Sequence, residues 1–253
     1  EDKLHFGIGK RTKIDSLLIT WPNKKQTVLT NLEINKQHDI NYDVATFIAP
    51  KKSQKIKTLF INQTKAMNVN YVHSEQEYDD YKSEILLPHK LSQEGPHIDV
   101  ADVNGDGLED FYVGNGVGFS GELYVQNTTG KFTKSNQNVF TQDKLCEDLG
   151  VLFFDYDQDG DKDLYVVSGS NEHSLDSPYM QDRLYSNDGN GNFTKTVNVL
   201  PVMPASGYCV KASDFDKDGD LDLFVGGFLI PQQYPKSGSS YLLLNDNGTF
   251  KDV

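Results

Sequence analysis

Phe153-Phe154-Asp155-Tyr156-Asp157-Gln158-Asp159-Gly160-Asp161-Lys162-Asp163-Leu164-Tyr165-Val166 is the stretch that decides the fold of this chain. Five aspartates alternate with other residues over nine positions, and residues that favour β-strands stand on both sides. Alternate side chains of a tightly turning loop point inward, and Gly160 allows the sharp turn that such a loop needs. The stretch therefore predicts a strand, an acidic loop and a second strand.

The same pattern occurs twice more, in the segments 98–113 and 212–225. The first aspartates of the three copies, Asp102, Asp155 and Asp214, are 53 and 59 residues apart. After each loop come a β-rich run, a Gly-rich stretch, a second β-rich run that ends in Asn, a turn that contains Gly, and a Phe. Each copy thus predicts four antiparallel strands, which is the blade of a β-propeller. A sandwich is the weaker alternative, because sandwiches rarely repeat one loop chemistry at every hairpin.

The loops match the requirements of calcium, which takes six to eight oxygen ligands in a flexible shell. We expect side-chain oxygens at positions 1, 3, 5 and 9 and a backbone carbonyl at position 7. Magnesium is disfavoured because it keeps its waters, and an EF-hand is disfavoured because position 12 is Val in all three copies. The predicted ligands of three calcium sites are Asp102, Asn104, Asp106, Leu108 and Asp110; Asp155, Asp157, Asp159, Asp161 and Asp163; and Asp214, Asp216, Asp218, Asp220 and Asp222.

The net charge of −13 equals the number of aspartates in these loops, 13, and the other 24 of the 37 acidic residues balance the 24 Lys and Arg. Concentrated carboxylates repel one another unless a cation neutralises them, which argues against metal-free, solvated turns. The acidic balance also disfavours a nucleic-acid partner. The metal should be structural, because a shell filled by protein leaves no open position for a substrate. We expect no catalytic residue, since no nucleophile elbow, phosphate loop or His-Glu-x-x-His occurs.

These residues resemble FG-GAP/VCBS repeats, the blades also found in the propellers of integrin α-subunits, over about residues 95–253. The segment His5 to Val28, with Gly7-Ile8-Gly9 and Trp21-Pro22, resembles the ASPIC/UnbV module. The stretch from Tyr71 to Phe132 resembles surface proteins of Bacteroidetes-type bacteria. Cartilage acidic protein shares the combination of propeller repeats with a UnbV module. The resemblance implies an exported cell-surface protein, associated with the outer membrane, and no known reaction.

We therefore predict an all-β chain with a small β-rich N-terminal module and an arc of blades, since three blades cannot close a ring of roughly 4–8. The predicted segments are 1–45 (part of an ASPIC/UnbV-like module), 46–94 (a connection with some strands), and 95–147, 148–206 and 207–253 (three repeats). No apolar run is long enough for a membrane-spanning helix. The N-terminus has neither a signal-peptide pattern nor an initiator Met, so we expect a processed or excised part of a longer protein.

Two long loops, 168–182 and 226–240, should lie at the opposite end of the blades from the acidic loops. Long loops with exposed aromatic residues are common binding elements, and self-packing is the alternative. The candidate ligand-binding residues are Tyr179, Met180, Phe228 and Tyr234. The leading functional hypothesis is a non-enzymatic module for adhesion to, or assembly with, an envelope or extracellular protein. The alternatives are a glycan-binding component of a polysaccharide-uptake system and a non-catalytic part of a polysaccharide-degrading enzyme.

The remaining candidate groups are cysteines and histidines. Cys146 and Cys209 could pair, but two unpaired, buried thiols are the favoured interpretation, because spacing alone fixes no geometry. His73 with Glu75 suggests a second metal site less strongly than a hydrogen-bonded structural histidine, and the same holds for His89 with His97.

Overall fold

The computed structural model describes residues 3–47, 58–135 and 138–253. The chain divides into two compact units, residues 1–61 and residues 62–253. The predicted boundaries after residues 45 and 94 stay a prediction, and residues 48–57 of the predicted connection lie outside the described residues. The rest of that connection, 46–47 and 58–94, contains an isolated bridge at Thr46 and one 3-10 turn but no strand.

Among its described residues, the first unit contains one antiparallel hairpin, β1 (Ile14–Thr20) and β2 (Gln26–Leu32), and a 3-10 turn at Tyr42–Val44. Trp21 lies in the connection between the strands, where its indole N–H donates to Thr27 Oγ1 at 2.9 Å. Its ring packs edge-on against Tyr42, with ring centroids 5.2 Å apart. This aromatic contact holds the turn against the hairpin.

The second unit contains three four-stranded antiparallel sheets, which confirms the predicted all-β class and the four-stranded blades. Neighbouring strands follow one another in the sequence within every sheet, so each sheet is a simple meander. The helix α1 (Asn138–Gln142) lies between the first two sheets in the sequence. The strands are β3 (Ile98–Ala101), β4 (Asp110–Val113), β5 (Glu122–Gln126) and β6 (Phe132–Lys134); β7 (Glu147–Phe154), β8 (Asp163–Gly169), β9 (Arg183–Ser186) and β10 (Thr194–Lys195); and β11 (Gly207–Ser213), β12 (Asp222–Gly227), β13 (Tyr241–Asp246) and β14 (Thr249–Asp252).

Two hydrophobic cores hold the three sheets together. The core between the first and second sheets includes Tyr112, Leu164 and Tyr185, and the core between the second and third includes Tyr165 and Leu223. The alternation of strand side chains explains the division, because Leu164 and Tyr165 are neighbours on β8 and point to opposite faces. Full burial of one such side chain contributes about 1.5–3 kcal/mol, so the second sheet is stabilised from both sides.

Residues 71–95, which we call the strap, cross the end of the sheets opposite the acidic loops. Tyr71 donates to the carbonyl of Gly114 at 2.7 Å, in the loop after β4 of the first sheet. Asn171, after β8 of the second sheet, donates to Asp80 at 2.6 Å. Glu84 accepts a hydrogen bond of 2.7 Å from the backbone of Tyr234, in the loop after β12 of the third sheet. We call the end of the sheets that the strap crosses the strap end. The opposite end, which carries the acidic loops, is called the loop end.

Both cysteines are free thiols, as favoured from the sequence, but only Cys146 is buried. Cys209 is exposed, so the expectation of two buried thiols was wrong for this residue. Cys209 alternates with the buried Val210 on β11 and therefore points away from the core between the second and third sheets.

Candidate metal centres

Each acidic loop joins the first and second strands of its sheet, as the sequence predicted. The three sheets share one strand order and direction. A given position of the motif therefore lies at the equivalent place in each of the three loops. The Gly at position 6 has a left-handed backbone in every loop, with φ of 82°, 95° and 105°. Position 4 is also left-handed, with φ of 72°, 62° and 67° at Gly105, Gln158 and Lys217. These two left-handed positions turn the loop sharply enough for alternate side chains to converge.

Hydrogen bonds within the loop hold the carboxylates in place. In the second loop Asp155 Oδ2 accepts from the backbone N–H of Gly160 at 3.1 Å. Asp157 Oδ1 accepts from the N–H of Asp159 at 3.4 Å, and Asp159 Oδ1 accepts from that of Asp161 at 3.1 Å. Equivalent bonds join positions 3 and 5, and positions 5 and 7, in the other two loops. These hydrogen bonds position the side chains at positions 1, 3 and 5 from within the loop itself.

Positions 1, 3 and 5 form a carboxylate triplet in two of the three loops. One oxygen from each residue of a triplet lies within 4.8 Å of the others. Calcium–oxygen distances are about 2.3–2.6 Å, so oxygens with this separation fit around a single calcium ion. The triplets are Asp155, Asp157 and Asp159 in the second loop and Asp214, Asp216 and Asp218 in the third.

The first loop differs because Asn104 occupies position 3. The Asn104 side-chain nitrogen donates to Asp106 Oδ2 at 3.3 Å. This hydrogen bond fixes a nitrogen at the place where position 3 of the other two loops has a carboxylate oxygen. The carboxylate of Asp102 accepts four backbone N–H bonds from residues 104–107. Burial opposes its charged form, but these four bonds outweigh burial and lower the pKa of Asp102. The first loop therefore fits a cation less well than the other two.

Three buried carboxylate oxygens of the other two loops lack hydrogen-bond partners. They are Asp155 Oδ1, Asp161 Oδ1 and Asp220 Oδ1. Asp161 and Asp220 occupy position 7, for which we predicted only a backbone carbonyl ligand. An unpaired buried carboxylate oxygen is costly, and a bound cation would satisfy it. The donor set of these loops therefore fits calcium.

The aspartate at position 9 has a different environment from the triplet. Asp163 is fully buried and accepts hydrogen bonds from the backbone N–H of Tyr156 at 3.1 Å and of Asn187 at 2.9 Å. Asp110 and Asp222 make the same two bonds in their sheets. Position 9 thus fastens the loop to the third strand of its own sheet, in addition to any ligand role.

Burial and mutual repulsion oppose the ionised forms of two carboxylates in the second loop. Burial, followed by the charges of Asp159 and Asp157, raises the pKa of Asp161 to about 6. Burial also raises the pKa of Asp163 to about 7, although its two backbone hydrogen bonds act in the opposite direction. A divalent cation would reverse these shifts, because it favours the ionised form of every neighbouring carboxylate.

An asparagine joins the second and the third acidic loop to the loop of the preceding sheet, a link that we did not predict. Asn187 donates to the carbonyl of Val103 in the first loop at 2.8 Å and to that of Lys162 in the second at 3.1 Å. Asn245 likewise donates to the carbonyl of Tyr156 in the second loop at 2.8 Å and to that of Leu221 in the third at 3.2 Å. The signal was present in the sequence, as the Asn that ends the second β-rich run of every repeat. The loop end is therefore one connected layer.

The geometry described so far defines a repeat protein in which each unit is a four-stranded meander with an acidic loop between its first two strands. Residues 102–166 and 155–225 each match the family model described as FG-GAP-like repeat. Each match runs from position 1 of one acidic loop to position 12 of the next. Residues 1–47 match the model described as ASPIC and UnbV. The chain therefore contains FG-GAP-like repeats and an ASPIC/UnbV segment, as the sequence motifs indicated.

A comparison with curated proteins finds no match. FG-GAP-like repeats and ASPIC/UnbV domains usually belong to extracellular proteins. Within the three described ranges, no helix combines the length and the apolar composition needed to cross a membrane.

The candidate ligand-binding residues at the strap end have unequal exposure. Tyr179 and Tyr234 are exposed, by 36% and 48%. Phe228 is only partly exposed and stacks against Tyr208, with ring centroids 4.9 Å apart. Met180 is fully buried, so the expectation that it contacts a ligand was wrong. It lies in the 3-10 turn Pro178–Met180, which directs its side chain into the protein while Tyr179 points outward.

His73 and His97 have structural contacts, as favoured from the sequence. His73 Nδ1 lies 3.0 Å from the hydroxyl of Tyr71, and Nε2 lies 2.5 Å from Glu75 Oε1. His97 packs edge-on against Tyr208 at 5.2 Å, and burial lowers its pKa. His89 is exposed.

Proposed function

We propose that this chain is a calcium-binding module that acts without catalysis, by binding an extracellular or cell-envelope protein at the bacterial surface. The observation that carries the proposal is the pair of aspartate triplets, whose oxygens lie within 4.8 Å of one another at the same positions of two repeats. Calcium would join positions 1, 3 and 5 of each loop and shape the loop end. The site in the first loop, at Asp102, Asn104 and Asp106, would bind calcium more weakly because it has one carboxylate fewer.

Calcium titration by calorimetry, with thermal melts in calcium and in excess chelator, tests the metal part of the proposal. We expect chelation to lower the melting temperature, because a ligand that binds only the folded state stabilises it by mass action. The variant Asp157→Asn should lose much of this calcium dependence, whereas Asp176→Asn, which changes an exposed carboxylate outside the loops, should not. An identical melt with and without chelator would contradict the proposal.

The partner is tested by a pull-down from the native envelope with and without chelator, analysed by mass spectrometry. A stoichiometric protein that is lost on chelation supports a calcium-dependent assembly module. Association with the outer membrane is tested in the same material by fractionation. Recovery of the chain without any stoichiometric protein would argue against the assembly role.

A glycan-binding component of a polysaccharide-uptake system is the second candidate. The exposed rings of Tyr179 and Tyr234 at the strap end favour it, because exposed aromatic rings commonly stack on sugars. A non-catalytic part of a polysaccharide-degrading enzyme would use the same surface. A glycan array with the wild-type chain and with Tyr234→Ala tests both; binding that is weak and unaffected by the substitution would count against them.

A further inference from the structure

Three glutamates at the strap end have buried carboxylate oxygens without hydrogen-bond partners. They are Glu75 in the strap, Glu147 at the start of β7 and Glu172 after β8. Both oxygens of Glu147, Glu75 Oε2 and Glu172 Oε1 are in this state. Glu147 is only 1% exposed, so water does not solvate it. A buried carboxylate without a counter-charge strongly destabilises the fold, so the folded chain requires something that neutralises it.

Several contacts bring the three segments together. Gln76, next to Glu75, donates to Glu172 Oε2 at 3.0 Å. Glu147 is paired across the sheet with Gly169, three residues before Glu172. Burial, followed by the charges of Glu75 and Glu172, raises the pKa of Glu147 to about 8. The Ser170 hydroxyl and the N–H of Glu94 lie close enough to oppose this shift, but neither makes a hydrogen bond of normal geometry to Glu147.

The two outer glutamates are oriented by their surroundings. Each has one oxygen held by a partner and one free: His73 Nε2 holds Glu75 Oε1 at 2.5 Å, and Gln76 holds Glu172 Oε2. His73 is fixed in turn by the hydroxyl of Tyr71. Any side chain at Gly116 would collide with the carboxylate of Glu75, so this glycine leaves the space in which the carboxylate lies. Metal-binding carboxylates are commonly positioned in this way by a surrounding layer of hydrogen bonds.

No lysine or arginine in the described part of the chain forms an ion pair with the three glutamates. Arg183 is paired with Asp148 at 2.7 Å. Lys90 is near enough to lower the pKa of Glu172, but its ammonium group donates to the carbonyl of Tyr78 at 2.9 Å. Among the described residues, no lysine or arginine therefore supplies the counter-charge. His73 contacts Oε1 of Glu75, whereas Glu147 and the free oxygens of Glu75 and Glu172 have no basic partner.

We propose that Glu75, Glu147 and Glu172 bind a hard divalent cation, with calcium as the best fit, at the strap end of the sheets. A donor set made only of carboxylate oxygens selects calcium or magnesium over softer metals. The three glutamates are spread more widely than the aspartate triplets, whose oxygens lie within 4.8 Å. Calcium tolerates such a shell because its coordination is flexible and water completes it. The bound ion would fasten the strap to the second sheet.

The site is independent of the acidic loops, so its test can fail without affecting the proposed function. The experiment counts calcium ions per chain by equilibrium dialysis and elemental analysis for wild type, Glu147→Gln and the control Glu77→Gln. Glu77 is an exposed residue of the strap, two positions from Glu75. We expect Glu147→Gln to bind one calcium fewer than wild type and Glu77→Gln to bind the same number. If Glu147→Gln does not fold, Glu172→Gln, at a partly exposed loop position, provides the same comparison.

A second measurement locates the lost ion. Trypsin can cut the strap after the exposed residues Lys82 and Lys90, and calcium at the proposed site should slow these cuts in wild type and in Glu77→Gln. The protection should disappear in Glu147→Gln and persist in Asp157→Asn, which alters only the second loop. Unchanged calcium stoichiometry in both Glu147→Gln and Glu172→Gln, with calcium-dependent protection intact, would overturn the proposal and assign the neutralisation of Glu147 to protons. Loss of calcium only in Asp157→Asn would likewise overturn the strap site while leaving the loop sites in place.

Discussion

Asn104 is the single side chain that separates the first acidic loop from the other two. We expect Asn104→Asp to complete a triplet and to raise the calcium affinity of this loop about tenfold, because an added charge a few ångströms from a divalent ion contributes at least about 1.4 kcal/mol. Calorimetric titration of the variant measures the change. Asn62→Asp, which adds the same charge at an exposed position outside the loops, is the matched control. An affinity equal to that of wild type would show that the first loop does not bind calcium.

Asp182 is a buried carboxylate away from the predicted metal ligands. It accepts hydrogen bonds from the Tyr165 hydroxyl at 2.7 Å and the Ser168 N–H at 2.8 Å, and Arg183 adds a favourable charge. Burial outweighs these contacts and raises the pKa of Asp182 from 3.8 to about 7. Well below pH 3.8 the group is protonated in both the folded and unfolded states and has no effect on stability. As the pH rises to 7, the unfolded state loses the proton first, which destabilises the fold by about 4 kcal/mol in total.

The variant Asp182→Asn should remove this pH dependence. Its amide can accept from Ser168 and donate to Tyr165, so the geometry is preserved. Urea unfolding in saturating calcium at pH 4.5 and pH 7.5 should show wild type losing more stability across this range than the variant. The same loss in both would mean that other buried carboxylates, such as Asp163 and Glu147, account for it.

Residue identity within a loop could be predicted because the chemistry is local. The alternation of Asp and the Gly at position 6 depend only on spacing, and the left-handed φ values at Gly107, Gly160 and Gly219 agree with it. Burial could not be predicted in the same way. The exposed thiol of Cys209 and the buried side chain of Met180 depend on which face of the strand or turn meets the next sheet.

At the scale of elements, Asn187 couples neighbouring loops, and its removal should affect both. Asn187→Ala deletes three hydrogen bonds: one accepted from the Asp188 N–H and two donated to the carbonyls of Val103 and Lys162, which lose this partner. The loss should cost about 2–3 kcal/mol. Asn127 occupies the same position in the first sheet, but it is exposed and its side-chain oxygen accepts from Thr129 within its own turn. Chemical denaturation should therefore show a smaller loss, of about 1 kcal/mol, for Asn127→Ala, because only hydrogen bonds of its own exposed turn are removed. Equal losses for the two variants would contradict the coupling.

The strands of the repeats could be predicted because their pattern recurs three times with the same turn residues. The strap could not be predicted from the sequence, although it contacts all three sheets. Its contacts join side chains far apart in the sequence, such as Asp80 with Asn171, and its residues have no regular alternation. The buried group of Glu75, Glu147 and Glu172 was missed for the same reason, since each glutamate looks ordinary within its own segment.

At the scale of the whole sheet unit, Asn171 is the residue in which the strap and two sheets meet. It is fully buried, donates to Asp80 and Glu84, and accepts from the N–H of Gln232 at 2.9 Å. Asn171→Ala should cost about 3 kcal/mol and speed cleavage of the strap, because buried polar groups on three segments lose this partner. Denaturant unfolding and limited trypsin digestion measure the two effects, with Asn127→Ala again as the control. A destabilised variant with an unchanged rate of strap cleavage would contradict this role of Asn171.

The arrangement of the strap also limits the order in which the protein can form during synthesis. The strap leaves the ribosome before any of the sheets that it covers, and its Glu84 meets a backbone group 150 residues later, at Tyr234. The sheets can form one after another from local hairpins, but the strap cannot be fastened until the third sheet has emerged. Closure of the strap is therefore expected to be the last folding event, and a nascent chain that stops before Gln232 would keep its long loops uncovered.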